Sequence, residues 1–141
     1  MKRSATAVWK GGLQNGKGTV STESGVLLNT PYNFRMRFEN EKGTNPEELV
    51  AAAHAGCFSM ALSMILGEAG MTAESIETKA TVSLEKKGDG FAVTASHLQT
   101  TVKIPNADKA AFEKAVEAAK TGCPISKLLN AAITMEATLI A

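Results

Sequence analysis

The sequence predicts an α+β fold, and three observations carry that prediction. Strand-like runs punctuated by glycine fill both ends of the chain, a long helix with hardly any polar face occupies the middle, and an amphipathic helix precedes the last strand. The order is strands, helix, hairpin, helix, strand, with no internal repeat, low-complexity segment or linker, so residues 1–141 read as a single domain. A chain of this length buries roughly 68% of its unfolded surface, enough for a core without covalent staples.

The elements follow in order from local chemistry. Asn15-Gly16 lies between a run containing Ala5, Ala7 and Trp9 and the β-branched stretch Thr19-Val20-Ser21-Thr22, the pattern of a hairpin. Gly11 to Gly18 also matches the G-x-x-x-x-G-K part of a phosphate-binding loop. Position 18, however, is Gly where a magnesium-binding Ser or Thr is required, and a strand follows where a helix should start, so nucleotide binding is set aside. Tyr32, Phe34, Met36 and Phe38 alternate with Asn33, Arg35 and Arg37; this reads as an extended segment with its aromatic face inward, or as a short helical turn.

Asn45 as N-cap, Pro46 at the first helical position, Glu48 closing a capping box and two acids in the first turn predict a helix from Pro46. From there to Leu66 only His54, Ser59 and Ser63 are polar after the first turn, so little of this helix can face water, and Cys57 falls in its middle. Ile76, Thr78, Ala80, Val82 and Leu84 form one face of a strand that turns at Gly88-Asp89-Gly90 into a second. The apolar phase of that second strand shifts from odd (Phe91, Val93, Ala95) to even (Leu98, Val102, Ile104), which predicts a β-bulge near Ser96-His97. Asp108 caps a helix with Phe112, Ala115, Val116 and Ala119 on one face and Gly122 at its end. Cys123-Pro124 opens a short helical piece through Leu129, and Ile133, Met135, Ala137 and Leu139 predict a closing strand.

Composition excludes several function classes. With 15 Lys and Arg against 14 Asp and Glu, the net charge of +1 supplies no basic surface for nucleic acid or for anionic membranes. No stretch is expected to approach the roughly 18 uninterrupted apolar residues of a membrane span. The first ten residues lack the apolar core of a secretory signal, and two cysteines are too few for a disulfide scaffold, so a cytoplasmic location is expected.

The cysteines are the residues with chemistry to offer. Free Cys is also an ordinary small core residue, so an inert packing role stands beside a reactive one. Cys123 precedes Pro124 at a helix start, whereas Cys57 lies mid-helix, where the backbone is expected to offer it no N–H groups, and needs a cationic neighbour to ionise. Lowering a thiol from about 8.5 to about 6 takes roughly 3.4 kcal/mol. One guanidinium at ~4 Å contributes on the order of 4 kcal/mol at an effective dielectric of ~20, so a single arginine suffices, and a carboxylate can orient it. His54, Cys57, His97 and Cys123 are ligand-type residues, but no paired metal spacing accompanies them and no metal is assigned. His54 shares a helix face with Cys57 and reads either as a packed histidine or as its general base.

Three segments together carry a resemblance: Arg37-Phe38-Glu39-Asn40-Glu41-Lys42-Gly43-Thr44-Asn45-Pro46-Glu47-Glu48-Leu49, Ala51 to Ser63 around Cys57, and Gly122-Cys123-Pro124-Ile125-Ser126. In order and spacing they resemble the OsmC (osmotically inducible protein C) branch of the OsmC/Ohr family, along essentially the whole chain. The resemblance implies an intertwined homodimer with β-sheets wrapped around two central cysteine-bearing helices. It implies a thiol-dependent hydroperoxide reductase with Cys57 as peroxidatic and Cys123 as resolving cysteine, Arg37 and Glu47 in the site, and no built-in cofactor. It also implies an external dithiol reductant, which the family suggests is a lipoylated protein. In the Ohr branch the arginine comes from the earlier glycine-rich loop; Gly11 to Gly18 contains none, and Arg35 has no place in the pattern and is read as a solvated charge.

Helix geometry adds a constraint. Glu47 and Cys57 are ten positions apart, hence about 15 Å along one helix, too far for one site. Two such helices crossing antiparallel near Ala52, where Ala51, Ala52, Ala53 and Gly56 are small, would bring Glu47 of one chain beside Cys57 of the other. An apolar lining from Phe34, Phe38 and Met60 would favour organic over inorganic hydroperoxides. The alternative from another class is a stress-related binding module whose cysteines are structural.

Overall fold

The β-branched and aromatic residues of the first 32 positions pair as three antiparallel strands in the computed structural model, which describes residues 1–141. These are β1 (Ala5–Lys10), β2 (Lys17–Thr22) and β3 (Thr30–Tyr32), in the order β1-β2-β3. The predicted hairpin is present, but its connection is longer than a two-residue Asn-Gly turn, and Gly11 takes the left-handed conformation at φ +93°. Gly18 is needed for a different reason from phosphate binding. A Cβ there would sit 2.5 Å from the Tyr32 ring and 2.6 Å from the Trp9 ring, two aromatics whose centroids are 5.5 Å apart.

The segment after β3 is helical, which corrects the extended reading. Asn33 caps it by accepting the Met36 N–H at 2.8 Å, and α1 (Phe34–Phe38) brings Phe34 and Phe38, four apart, to a centroid separation of 4.9 Å. Alternation over five residues satisfies an i,i+4 pairing as well as a strand, so periodicity alone did not separate them.

Helix α2 (Pro46–Glu68) starts as its sequence dictates, with the Asn45 side chain accepting the Glu48 N–H at 2.8 Å. Glu48 accepts from the Thr44 hydroxyl at 2.9 Å, and the Asn45 amide donates to the Met36 carbonyl at 3.1 Å, tying the helix start to α1. By length and mean hydropathy α2 is long and apolar enough to cross a membrane, although His54, Ser59 and Ser63 interrupt its apolar run. One stripe of it, His54, Phe58, Leu62 and Leu66, is buried.

Residues 1–49 and 50–141 form two compact units. In the second, β4 (Ser75–Lys87) and β5 (Gly90–Lys103) make the predicted hairpin, with Gly88 at φ +59° in the turn. The bulge lies slightly earlier than predicted. Ser83 pairs with Ala95 and Leu84 with Val93, so Thr94 is the extra residue, its hydroxyl donating to Glu85 at 2.8 Å. The shift turns Ser96, Leu98, Thr100 and Val102 inward.

Strand β6 (Ala132–Ile140) runs parallel to β5, giving the order β4-β5-β6. A parallel neighbour requires a crossover, and α3 (Lys109–Gly122) with α4 (Pro124–Leu128) supplies it. The predicted face of α3, Phe112, Ala115, Val116 and Ala119, is buried with Phe58, Leu62, Leu66, Met71, Leu98, Val102, Ile104 and Cys123 in one core. Each of the large side chains there contributes about 1.5–3 kcal/mol of burial. Cys123 stands at the junction of α3 and α4.

Candidate active site

In residues 1–49 the structure builds an arginine clamp. Glu47, in the first turn of α2, takes Arg37 from the last turn of α1 with both carboxylate oxygens: Arg37 Nε donates to Oε1 and Oε2 at 3.2 Å each, and Nη2 donates to Oε1 at 2.8 Å. Two-point pairing fixes the guanidinium plane as well as its position. Its carbon lies 5.3 Å from the centroid of the Phe38 ring. Arg37 and the aromatics share one cavity of about 240 Å³, lined by Trp9, Leu13, Tyr32, Asn33, Phe34, Arg37 and Phe38. Phe34 and Phe38 thus lie beside Arg37, where an extended segment would have put the arginine on the opposite face. Met60 is outside that lining, and as a residue of α2 in the second unit it is 77% exposed. Arg35 pairs at the surface with Glu39 at 3.3 Å and Glu41 at 3.8 Å.

Residues 50–141 contain the two thiols, both free. Burial pushes the Cys57 thiol above its ordinary pKa, the neighbouring Cys123 thiol raises it further, and a hydrogen bond with the Ile125 backbone pulls the other way. That backbone contact corrects the expectation that Cys57 meets no N–H: its own helix offers none, but the first turn of α4 has unsatisfied amides. Cys123 is fully buried and caps α4, its sulfur accepting the Ser126 N–H at 3.3 Å and donating to the Ser126 hydroxyl at 3.3 Å.

His54 is not a base for Cys57. Its ring is fully buried between two hydroxyls, Nδ1 2.7 Å from Ser96 Oγ and Nε2 2.7 Å from Ser126 Oγ, and burial lowers its pKa. His97 faces outward to Thr134 and Glu136, and no group of three or more His, Cys, Asp or Glu side chains comes together in a metal-holding cluster. Sequence reasoning missed Ser96 and Ser126. The signal for Ser126 was the N-cap spacing from Cys123; that for Ser96 was the even phase of β5 after the bulge.

The sequence pattern of the family described as OsmC-like protein matches residues 39–138. The chain is 57% identical over 130 residues to peroxiredoxin OsmC of Escherichia coli K12, covering 92% of this chain and 91% of that protein. It is 30% identical over 111 residues to the organic hydroperoxide resistance protein OhrB of Bacillus subtilis 168, covering 78% and 79%. The crystal structure of OhrB from Bacillus subtilis superposes with a TM-score of 0.67 at 28% identity, covering 96% of this chain and 97% of that one. An OsmC-like protein from Mycoplasma pneumoniae shares the fold at a TM-score of 0.76 and 16% identity, over 100% and 99% of the two chains.

Proposed function

Since this chain belongs to the OsmC-like family, we propose that it is a cysteine-based hydroperoxide reductase, its residues 1–141 acting as one domain of an intertwined homodimer. The observation that carries the reading is the thiol pair: Cys57 and Cys123 act on one another while both are free, the arrangement from which a sulfenic acid closes to a disulfide.

Cys57 is the peroxidatic residue. Burial and Cys123 both oppose its ionisation, so the backbone contact from Ile125 needs the help of a cation. Arg37 is that cation. Glu47 occupies its Nε and Nη2, which leaves Nη1 to meet the sulfur and then the leaving oxygen. The clamp reaches Cys57 from the partner protomer, because Glu47 is about 15 Å from Cys57 along its own helix and grips Arg37 of its own chain. A second copy also accounts for α2. The helix is apolar on every side, its buried stripe leaves Met60 and Met64 exposed at 77% and 61%, and a Cβ added at Gly56 would meet nothing.

The thiolate attacks the outer peroxide oxygen, the O–O bond breaks, and the alcohol departs after taking a proton, leaving Cys57 as sulfenic acid. Cys123 then attacks Cys57, water leaves, and a disulfide remains. An external dithiol, in this family's pattern a lipoylated protein, returns both thiols. The apolar pocket around Arg37 favours organic hydroperoxides over hydrogen peroxide, with Phe34 and Phe38 as its substrate-facing groups. A thiol pair that must be reduced on every cycle suits the cytoplasm. Stopped-flow consumption of cumene hydroperoxide with counting of free thiols, on wild type and Cys57→Ser, tests the assignment. Consumption with loss of two thiols per peroxide in wild type alone is expected; equal turnover by both proteins would remove it.

A further inference from the structure

His54 and Cys123 are the two titratable side chains with no exposure to solvent, and one hydroxyl joins them. The Cys123 thiol donates to Ser126 Oγ at 3.3 Å, and Ser126 Oγ lies 2.7 Å from His54 Nε2. A hydroxyl carries one proton. The relay uses the tautomer in which Ser126 donates to an unprotonated Nε2 and Nδ1–H donates to Ser96 Oγ at 2.7 Å. In that tautomer the donors run one way, from sulfur to imidazole to Ser96. The arrangement spans three elements, since His54 belongs to α2, Ser96 to β5 and Ser126 to α4.

We propose that Ser126 and His54 form a proton relay that deprotonates Cys123 for its attack on oxidised Cys57, Ser126 touching the sulfur and His54 acting through it as a positioning residue. A thiol must lose its proton to attack another sulfur, and a sulfur closed off from solvent has no water to receive it. The Cys123 proton passes to Ser126 as the Ser126 proton passes to Nε2. The Cys123 sulfur then bonds to the Cys57 sulfur, the Cys57 S–O bond breaks with its electron pair leaving on oxygen, and the hydroxide takes a proton from solvent and leaves as water, while His54 gives its own proton back to solvent once the disulfide has formed. The sum is Cys57–SOH plus Cys123–SH giving the disulfide plus water, with His54 the transient holder of the proton. In the reverse direction, when a dithiol opens the disulfide, the same path returns a proton to Cys123. Burial keeps the resting imidazole neutral and able to accept. The titratable groups this network reaches are Cys123, through Ser126, and Cys57, one turn further along α2; the β5 side contributes only the Ser96 hydroxyl.

The relay rests on the peroxidase reading, and one experiment separates the two. Reduced protein receives one equivalent of cumene hydroperoxide; peroxide loss is followed by stopped flow, and disulfide formation by rapid quench, thiol blocking and mass spectrometry. The variants are His54→Gln, which keeps a donor and an acceptor but does not titrate, and Ser126→Ala, which removes the hydroxyl with little change in volume. In each, disulfide formation should slow at least about tenfold more than peroxide loss does, and Cys57 sulfenic acid should accumulate for trapping by dimedone. The disulfide rate of the variants should climb with pH between about 6 and 8, while that of wild type changes less. If one variant fails to fold, the other carries the test. A folded variant with the wild-type disulfide rate and the wild-type pH profile overturns the relay. Absence of peroxide loss in wild type overturns the peroxidase reading, and the relay with it.

Discussion

The two units of the chain bury different things. Within residues 1–49 the only fully buried positions are Gly16 and Gly18, while Val8, Leu13, Val26 and Leu28 stay exposed. Residues 50–141 hold the entire buried hydrophobic core, with the Cys123 thiol inside it. The site residues divide the same way: the Arg37–Glu47 clamp belongs to the first unit and the Cys57–Cys123 pair to the second. Exposed apolar side chains of this kind are surface that a partner can cover. On the proposed dimer, covering that surface and completing the site would be one event.

The sharpest way to break this comparison is at the sulfur. Cys57→Ser should abolish peroxide reduction, because a hydroxyl does not ionise near neutrality, whereas Cys123→Ser should complete one peroxide reduction and stop with Cys57 as sulfenic or sulfinic acid. Intact mass after one equivalent of peroxide reads both outcomes. On the clamp side, Arg37→Ala should slow the peroxide step by about 10²–10³ and raise the pH at which Cys57 is alkylated. Arg35→Ala should barely move either quantity, since Arg35 is itself an exposed side chain paired with Glu39 and Glu41. A larger alkylation shift for Arg35→Ala would reverse the assignment.

A third substitution pair probes packing alone. Leu62→Ala opens a cavity in the core of the second unit and should cost about 2–5 kcal/mol in denaturant unfolding, whereas Leu28→Ala in the first should cost about 0.5 kcal/mol or less in a monomeric chain. A loss at Leu28 that grows with protein concentration would show that its side chain is covered on assembly.

Most of the second unit was legible in the sequence because its elements are long and face a single core. The α3 stripe and the β4–β5 hairpin lie where periodicity placed them, as the Asn45 cap of the first unit lies where capping chemistry did. Errors fell where few residues had to decide. The segment from Phe34 to Phe38 is too short for period two and i,i+4 spacing to differ, and the Asn33 cap settled it. The bulge fell at Thr94, where a side-chain bond to Glu85 was available. The site was legible in its charged and sulfur residues, whose types are rare, but not in its serines. Ser96 and Ser126 resemble any surface serine until β5 and α4 are packed against α2. The contact from Ile125 to Cys57 is a backbone property and leaves no mark on residue identity.

The central claim is that the clamp of one chain serves the thiols of the other, and subunit mixing tests it most directly. Glu47→Ala and Cys57→Ser homodimers should each be strongly impaired. Because Glu47 holds Arg37 of its own chain, Arg37→Ala should behave as Glu47→Ala does when mixed. A heterodimer with Glu47→Ala on one chain and Cys57→Ser on the other would have one site lacking both groups and one site whole. Co-refolding should therefore restore about half of wild-type activity per heterodimer, or roughly a quarter in a statistical mixture. If the clamp acts within its own chain, every heterodimer site carries one lesion and mixing restores nothing; that result, or a monomeric mass for the active protein at micromolar concentration, would contradict the composite site.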